Sequence, residues 1–296
     1  MQTLESLTRQ IVGAGELKSV VRTMKAMAAS NIGQYQAAAA SLENYYNMVS
    51  LGIVAYFNNA KIPSTLENRP QKAAEEKTIC AIVFGSDQGF VGQFNDSLSE
   101  YVSQSLETFS GKKEIWTVGA RIPVLLKDLG FNVTKKFPLP NSVKAISNLI
   151  GSILLSVEEH HENSQLNEFY IFHNHFKSEL ISSPKSQKLL PLEQSWKEEL
   201  MDLKWPTKKI PEIIGNSNSA IKMLIKEFLF VTLFKACSES LASENYSRLG
   251  AMERAEKNIE ELLDTISHTY HRLRQSSIDE ELFDVVSGFE ALKEKI

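Results

Sequence analysis

The stretch Gly85-Ser-Asp-Gln-Gly89-Phe-Val-Gly92 holds the residue types that could cradle a phosphate. Glycines between a strand and a helix let backbone amides approach an anion at the helix N-terminus. No Lys-Ser/Thr pair follows, so this is not a Walker A loop, and the glycine spacing departs from the dinucleotide fingerprint. A tight strand-to-helix turn accounts for the same residues. The histidines fall as His160-His161, His173-x-His175 and His268-x-x-His271. His173 and His175 share one face of a strand and could form a metal pair, but no carboxylate or cysteine spacing completes a site. His268 and His271, three apart on a helix, read as a solvated or packing face. Glu198-Glu199 and Asp279-Glu280-Glu281 read as solvated faces too. There is no serine elbow, no nucleophilic cysteine setting and no isolated carboxylate pair. Neither catalysis nor a metal or cofactor is expected of this chain.

The elements around these residues are set by proline. All 9 prolines lie between Pro63 and Pro211. A proline inside a helix costs about 3 kcal/mol, so the proline-free ends suit two long helices. In the first, apolar positions run Leu4, Leu7, Ile11, Ala14, Leu17, Val21, Met24, Ala28, Ile32, Tyr35, Ala39, Leu42, Tyr46, Val49, Ile53, Tyr56. Their spacing averages about 3.5, the coiled-coil repeat. The second repeats it with Leu249, Met252, Ala255, Ile259, Leu262, Ile266, Tyr270 and Leu273. A helix of about 55 residues is roughly 80 Å long, and neither can bury such a stripe alone. The partner is either the other helix, in an antiparallel pair joining the two ends of the chain, or a second copy of the protein. Thr3 is the expected N-cap of the first helix.

Between the helices the period changes. Residues 78–84 (TICAIVF) read as a buried strand, followed by the glycine-rich turn and a helix from about Asn95. Further strands are expected at 115–118, 131–137, 168–176 and 187–192, with helices at 121–129, closed by Gly130, and 143–161. Strands alternating with helices imply a largely parallel sheet. The fold class is therefore α/β: an inserted small α/β domain between terminal helices that form a long antiparallel coiled coil where they pair within one chain. The expected divisions are an N-terminal helix at 1–60, a linker at 61–77, the α/β domain at 78–192, a second linker at 193–214 and the C-terminal helix at 215–296.

The composition bounds the partners. A net charge of −4 over 296 residues argues against nucleic acid. Cys80 and Cys237 fit a reducing compartment. The first residues are polar with no basic n-region, so no secretory signal is expected. The longest apolar run, 228–234, is too short to span a bilayer.

The last helix carries a recognisable text. Ala242-Ser-Glu-Asn-Tyr-Ser-Arg248-Leu-Gly-Ala251-Met252-Glu-Arg-Ala255-Glu-Lys-Asn258, then Arg274-Gln275-Ser-Ser-Ile278-Asp-Glu-Glu281-Leu-Phe-Asp-Val285-Val-Ser-Gly288, closely resembles the C-terminal signature of the gamma subunit of F-type ATP synthases. Thr23-Met24-Lys-Ala-Met27-Ala28-Ala29-Ser30 resembles that family's N-terminal motif, and Asp87-Gln-Gly89-Phe-Val-Gly92-Gln-Phe-Asn95 its central loop. The resemblance covers the whole chain in order. It implies a non-catalytic rotor shaft that couples ion-driven ring rotation to ATP synthesis or hydrolysis. The implied partners are the alpha and beta subunits of the catalytic ring, the epsilon subunit and the membrane c-ring. The implied place is the cytoplasmic face of a bacterial cell membrane, peripheral and without a span of its own. The implied partner contacts are Arg274, Gln275, Met24, Ala28, Asp87 and Gly89, with Phe289 entering the apolar bearing. Departures stand beside the match. Asn31-Ile32-Gly33-Gln34-Tyr35 replaces the family's basic run, Gln88 its loop arginine and Val91 its loop cysteine, which suggests a divergent branch such as the alternative sodium-linked ATPases. The competing reading is a homodimeric coiled-coil scaffold with an inserted α/β module; a weaker third is a nucleotide-binding enzyme using the glycine-rich turn.

Overall fold

The computed structural model describes residues 3–59, 78–109, 111–162, 167–178, 181–192 and 216–293, with 196, 200, 202–203, 205–207 and 209 between 192 and 216. The expected linker at 61–77 and most of that at 193–214 lie outside them. The elements in chain order are α1 (Leu4–Ser41), α2 (Glu43–Asn59), β1 (Thr78–Phe84), α3 (Phe94–Glu107), β2 (Lys112–Val118), α4 (Ile122–Asp128), β3 (Val133–Phe137), α5 (Val143–Glu162), β4 (Glu168–Ser178), β5 (Ile181–Leu190) and α6 (Ser217–Lys293). They form two compact units: Met1–Ala28 with Leu249–Ile296, and Ala29–Arg248.

In the first unit, the start of α1 lies against the latter part of α6. Thr3 caps α1, its hydroxyl accepting from the Ser6 amide at 3.3 Å, which satisfies one of the open amides of the first turn. Leu7, Ala14, Ala28 and Met252 are buried. Ile11, Val21, Met24, Ile259, Ile266 and Leu273 are half-buried. The 3.5-residue stripe is therefore the face the two helices share. It slips at two places: Leu17 and Leu262 are exposed, and Lys18 and Leu263 take the half-buried positions. Cross-helix ion pairs fix the direction. Lys18 reaches Glu260 at 2.8 Å, and Arg22 and Lys25 reach Glu256 at 2.6 and 3.0 Å. Rising numbers on one helix meet falling numbers on the other, so the pair is antiparallel.

The second unit is a five-stranded sheet in the order β3-β2-β1-β4-β5. The first four strands are parallel, and β5 joins β4 antiparallel. Strand β1 shows why the sheet has two covered faces. Ile79, Ala81 and Val83 meet Leu98, Val102 and Leu106 of α3 and Ile122 and Leu126 of α4. Cys80, Ile82 and Phe84 face the core shared with α2, α5 and the first part of α6. A strand buried on both faces reads as an unbroken apolar run, as TICAIVF does. Two expectations are corrected. The first long helix is broken at Leu42, so it is α1 and α2 rather than one element. Strand β5 starts at Ile181, six residues before the expected start; its Ser, Lys and Pro content suits an edge strand, where the pattern is weakest.

Candidate partner-contact surface

The glycine-rich turn is held by its own ends. The Gly85 amide donates to the Val118 carbonyl at 2.9 Å, and the Arg121 amide to the Ser86 carbonyl at 2.9 Å. Asn95 closes the loop: its Oδ1 accepts from the Ser86 amide at 3.0 Å and its Nδ2 donates to the Ser86 hydroxyl at 2.8 Å. Asp87 Oδ1 accepts from the Ala120 amide at 2.8 Å. A Cβ at Gly85 would lie 2.4 Å from the Ile122 Cβ, so the turn and α4 touch backbone to side chain. Gly119, at φ +97°, would put a Cβ 2.9 Å from the Ser86 carbonyl oxygen, so only glycine fits there. Asp87 thus ties the β1 turn to the β2 turn, and Gly89 lies half-buried beside Arg121. At the tip, Phe90 has φ +61° and is 69 % exposed. A bulky residue in that region is strained, and the strain here displays an aromatic ring to solvent.

The paired helices carry the other expected residues. Ala28 is buried at 1 % exposure, Met24 is half-buried, and Lys25 between them reaches Glu256, so this stretch of α1 faces α6. The Arg22 hydrogen bond and then that of Lys25 hold the Glu256 carboxyl below the usual carboxylate range, and the same bond holds Arg22 above its ordinary value. Arg274 and Gln275 are exposed on α6, as is Arg272. Beyond them Ile278, Leu282, Phe283, Val285 and Val286 are exposed apolar residues. Phe289 belongs to α6, but its side chain lies outside the described residues.

The histidine pair goes to separate partners. His173 Nε2 lies 3.1 Å from Glu239 Oε2, and His175 Nδ1 lies 3.0 Å from the Ser183 carbonyl oxygen. Among the described residues no group of His, Cys, Asp and Glu could hold a metal ion, and Cys80 and Cys237 are buried thiols, not a pair.

A family model described as ATP synthase matches residues 3–292. The chain belongs to the ATP synthase gamma family. It is 28 % identical to the ATP synthase gamma chain of Pelagibacter ubique, over 99 % of this chain and 100 % of that one. It is 27 % identical to that of Syntrophus aciditrophicus, over 99 % of each. Its fold is that of a chain in the rotor of the Euglena gracilis mitochondrial ATP synthase, with a TM-score of 0.61 at 16 % identity, covering 93 % of this chain and 98 % of that one. A chain of the Euglena OSCP/F1/c-ring structure gives a TM-score of 0.63 at 16 % identity over 98 % and 94 %. The role that goes with the gamma family is the central rotor stalk of an F-type ATP synthase. The homodimeric scaffold is not favoured, and the antiparallel helix pair forms within one chain.

Sequence reasoning missed the residues that clasp this pair. The signal for them was present: Lys18, Arg22 and Lys25 repeat at three and four, and so do Glu256 and Glu260. Such spacing puts each set on one helix face, with opposite charge on the two helices.

Proposed function

We propose that this gamma chain is a passive shaft that carries torque and does no chemistry of its own. Its paired helices stand inside a ring of alternating alpha and beta subunits. Its α/β domain stands at the foot with the epsilon subunit and the membrane c-ring. Ion flow turns the c-ring, the shaft turns with it, and its uneven surface drives the catalytic sites of the ring through their states. The chain is peripheral at the cytoplasmic face of the bacterial cell membrane; no described helix is long and apolar enough to cross a membrane.

The observation that carries this reading is the antiparallel pair made from both ends of one chain and clasped by Lys18, Arg22 and Lys25 against Glu256 and Glu260. Two helices wound on a shared apolar face resist bending and twisting better than one, as a shaft requires. The partner contacts we assign are Arg274 and Gln275 to the beta subunit, Met24 and Ala28 as the seam that keeps the helix pair in register at the ring, and Asp87 and Gly89 in a second contact of the turn. Phe289 enters the apolar bearing, where the exposed side chains from Ile278 to Val286 would also find cover. Purification from native membranes under mild detergent tests the reading. The chain should copurify with alpha, beta and c subunits; recovery as a self-associated species without them would overturn it.

A further inference from the structure

Strand β4 and the part of α6 before Arg248 are joined by directional contacts that stand apart from the surrounding core. His173 of β4 is 2 % exposed, and its Nε2 meets Glu239 of α6 at 3.1 Å. Three residues on, the Phe176 ring stacks on Tyr246 of α6, with centroids 4.2 Å apart and planes within 10°. The Tyr246 hydroxyl accepts a hydrogen bond from Gln36 Nε2 of α1 at 3.2 Å. Between these points, Ser240 donates to the Phe84 carbonyl at the end of β1, at 3.2 Å. Asn31 of α1 also reaches Asn245 at 3.4 Å.

The geometry matters more than the number of bonds. Side chains alternate along a strand, so His173 and Phe176 belong to opposite faces of β4. Glu239 and Tyr246 lie seven residues apart on α6, about two turns and roughly 10 Å of helix. The helix therefore holds the carboxyl end of the strand at two separate points. An apolar core resists separation but is non-directional, so it opposes sliding and twisting weakly. Hydrogen bonds and ring stacking lose strength as their angles change. A strand end held at two points by directional contacts resists rotation relative to the helix.

We propose that His173, Phe176 and Tyr246, with Gln36 bracing Tyr246, form the joint through which torque passes between the sheet and the helices α1 and α6. They are positioning residues: they touch neither nucleotide nor ion, and act by keeping the sheet and the helices in step. The inference rests on the shaft reading given above. The joint also gives a use to Asn31 and Gln36, neutral residues in and beside the segment where the family's basic run is absent: they tie α1 to Asn245 and Tyr246.

The test is the ratio of ions pumped to ATP hydrolysed, measured in the same vesicles carrying the whole reconstituted complex. The variants are Tyr246→Ala, Phe176→Ala and Tyr246→Phe. The control is Phe109→Ala, which removes another aromatic contact of β4, with Tyr170 at 5.6 Å near the start of the strand and six residues before Phe176. Thermal unfolding of each full chain ranks the variants by stability. Loss of a stacked aromatic pair should raise transient opening of the joint by about two- to tenfold. The pumping ratio of Tyr246→Ala and Phe176→Ala should therefore fall severalfold while hydrolysis continues. Tyr246→Phe keeps the stack and loses only the Gln36 bond, so its ratio should fall less than that of Tyr246→Ala, and Phe109→Ala should keep the ratio even where it unfolds as early as the joint variants. An unchanged ratio in Tyr246→Ala, or an equal fall in Phe109→Ala, would overturn the joint. If no variant or wild-type chain assembles with the ring, the shaft reading fails first, which keeps the two failures apart.

Discussion

At the scale of single residues, His173 is a buried imidazole that folds best without a charge. Burial lowers its proton affinity, and Lys185 from β5 and His175 from β4 act in the same direction; Glu239 from α6, itself near Lys235, opposes them. Its Nδ1 has no hydrogen-bond partner among the described residues, so Nε2–H donates to Glu239 and Nδ1 stays bare. With the folded value below the unfolded one, the unfolded chain takes the proton first. The stability this group contributes is complete above the ordinary imidazole value of about 6.5 and is lost as pH falls below it. Glu239, whose value is also lowered, loses its contribution at still lower pH. The melting temperature of the full chain should fall on acidification from neutrality through the imidazole range. His173→Gln keeps an N–H for Glu239 and cannot titrate, so its melting curve should depend less on pH; an unchanged slope would contradict the assignment. Arg274 is a residue of the other kind, exposed and always charged. Arg274→Ala should leave the complex assembled and lower its ATP turnover severalfold, on the order of the 1 kcal/mol or more that separates a working contact from an idle surface arginine. Arg272→Ala, on another helix face, should do less, and equal turnover in the two would remove the contact. The sequence made Arg274 legible through its motif. It could not reveal Glu239 as the partner of His173, because nothing local links positions 66 residues apart.

At the scale of elements, the long helices were legible because proline is confined to the middle of the chain and the stripe keeps its period. The central strand β1 was legible because burial on both faces leaves a nearly unbroken apolar run. The break at Leu42 was not. The stripe runs through it from Ala39 to Tyr46 without a glycine or proline to mark a stop, so the interruption comes from packing rather than propensity. After the break, α2 lies close on α6: a Cβ on Gly52 would stand 3.0 Å from the Leu224 Cδ2 atom, and Ile53 is fully buried. Ile53→Ala should lower the unfolding free energy by about 2–5 kcal/mol through lost burial and an unfilled cavity. Denaturant titration of the full chain measures it. A loss below about 1 kcal/mol, ordinary for a surface position, would mean that α2 does not pack as described.

At the scale of the whole molecule, the chain is a turning part, and its rotation is what an experiment should watch. Its own chemistry helps. Cys80 and Cys237 are fully buried, and burial pushes both thiols well above the usual range, so neither should react under conditions that label an exposed thiol. Leu155 on α5 is 59 % exposed and belongs to none of the contacts assigned above. Leu155→Cys therefore offers one attachment point for a bead, with the alpha/beta ring fixed to a surface. On addition of ATP the bead should turn in one direction, in steps, at a rate that follows hydrolysis and stops when ATP is removed. A bead that stays still while the same complexes hydrolyse ATP at the full rate would contradict the shaft.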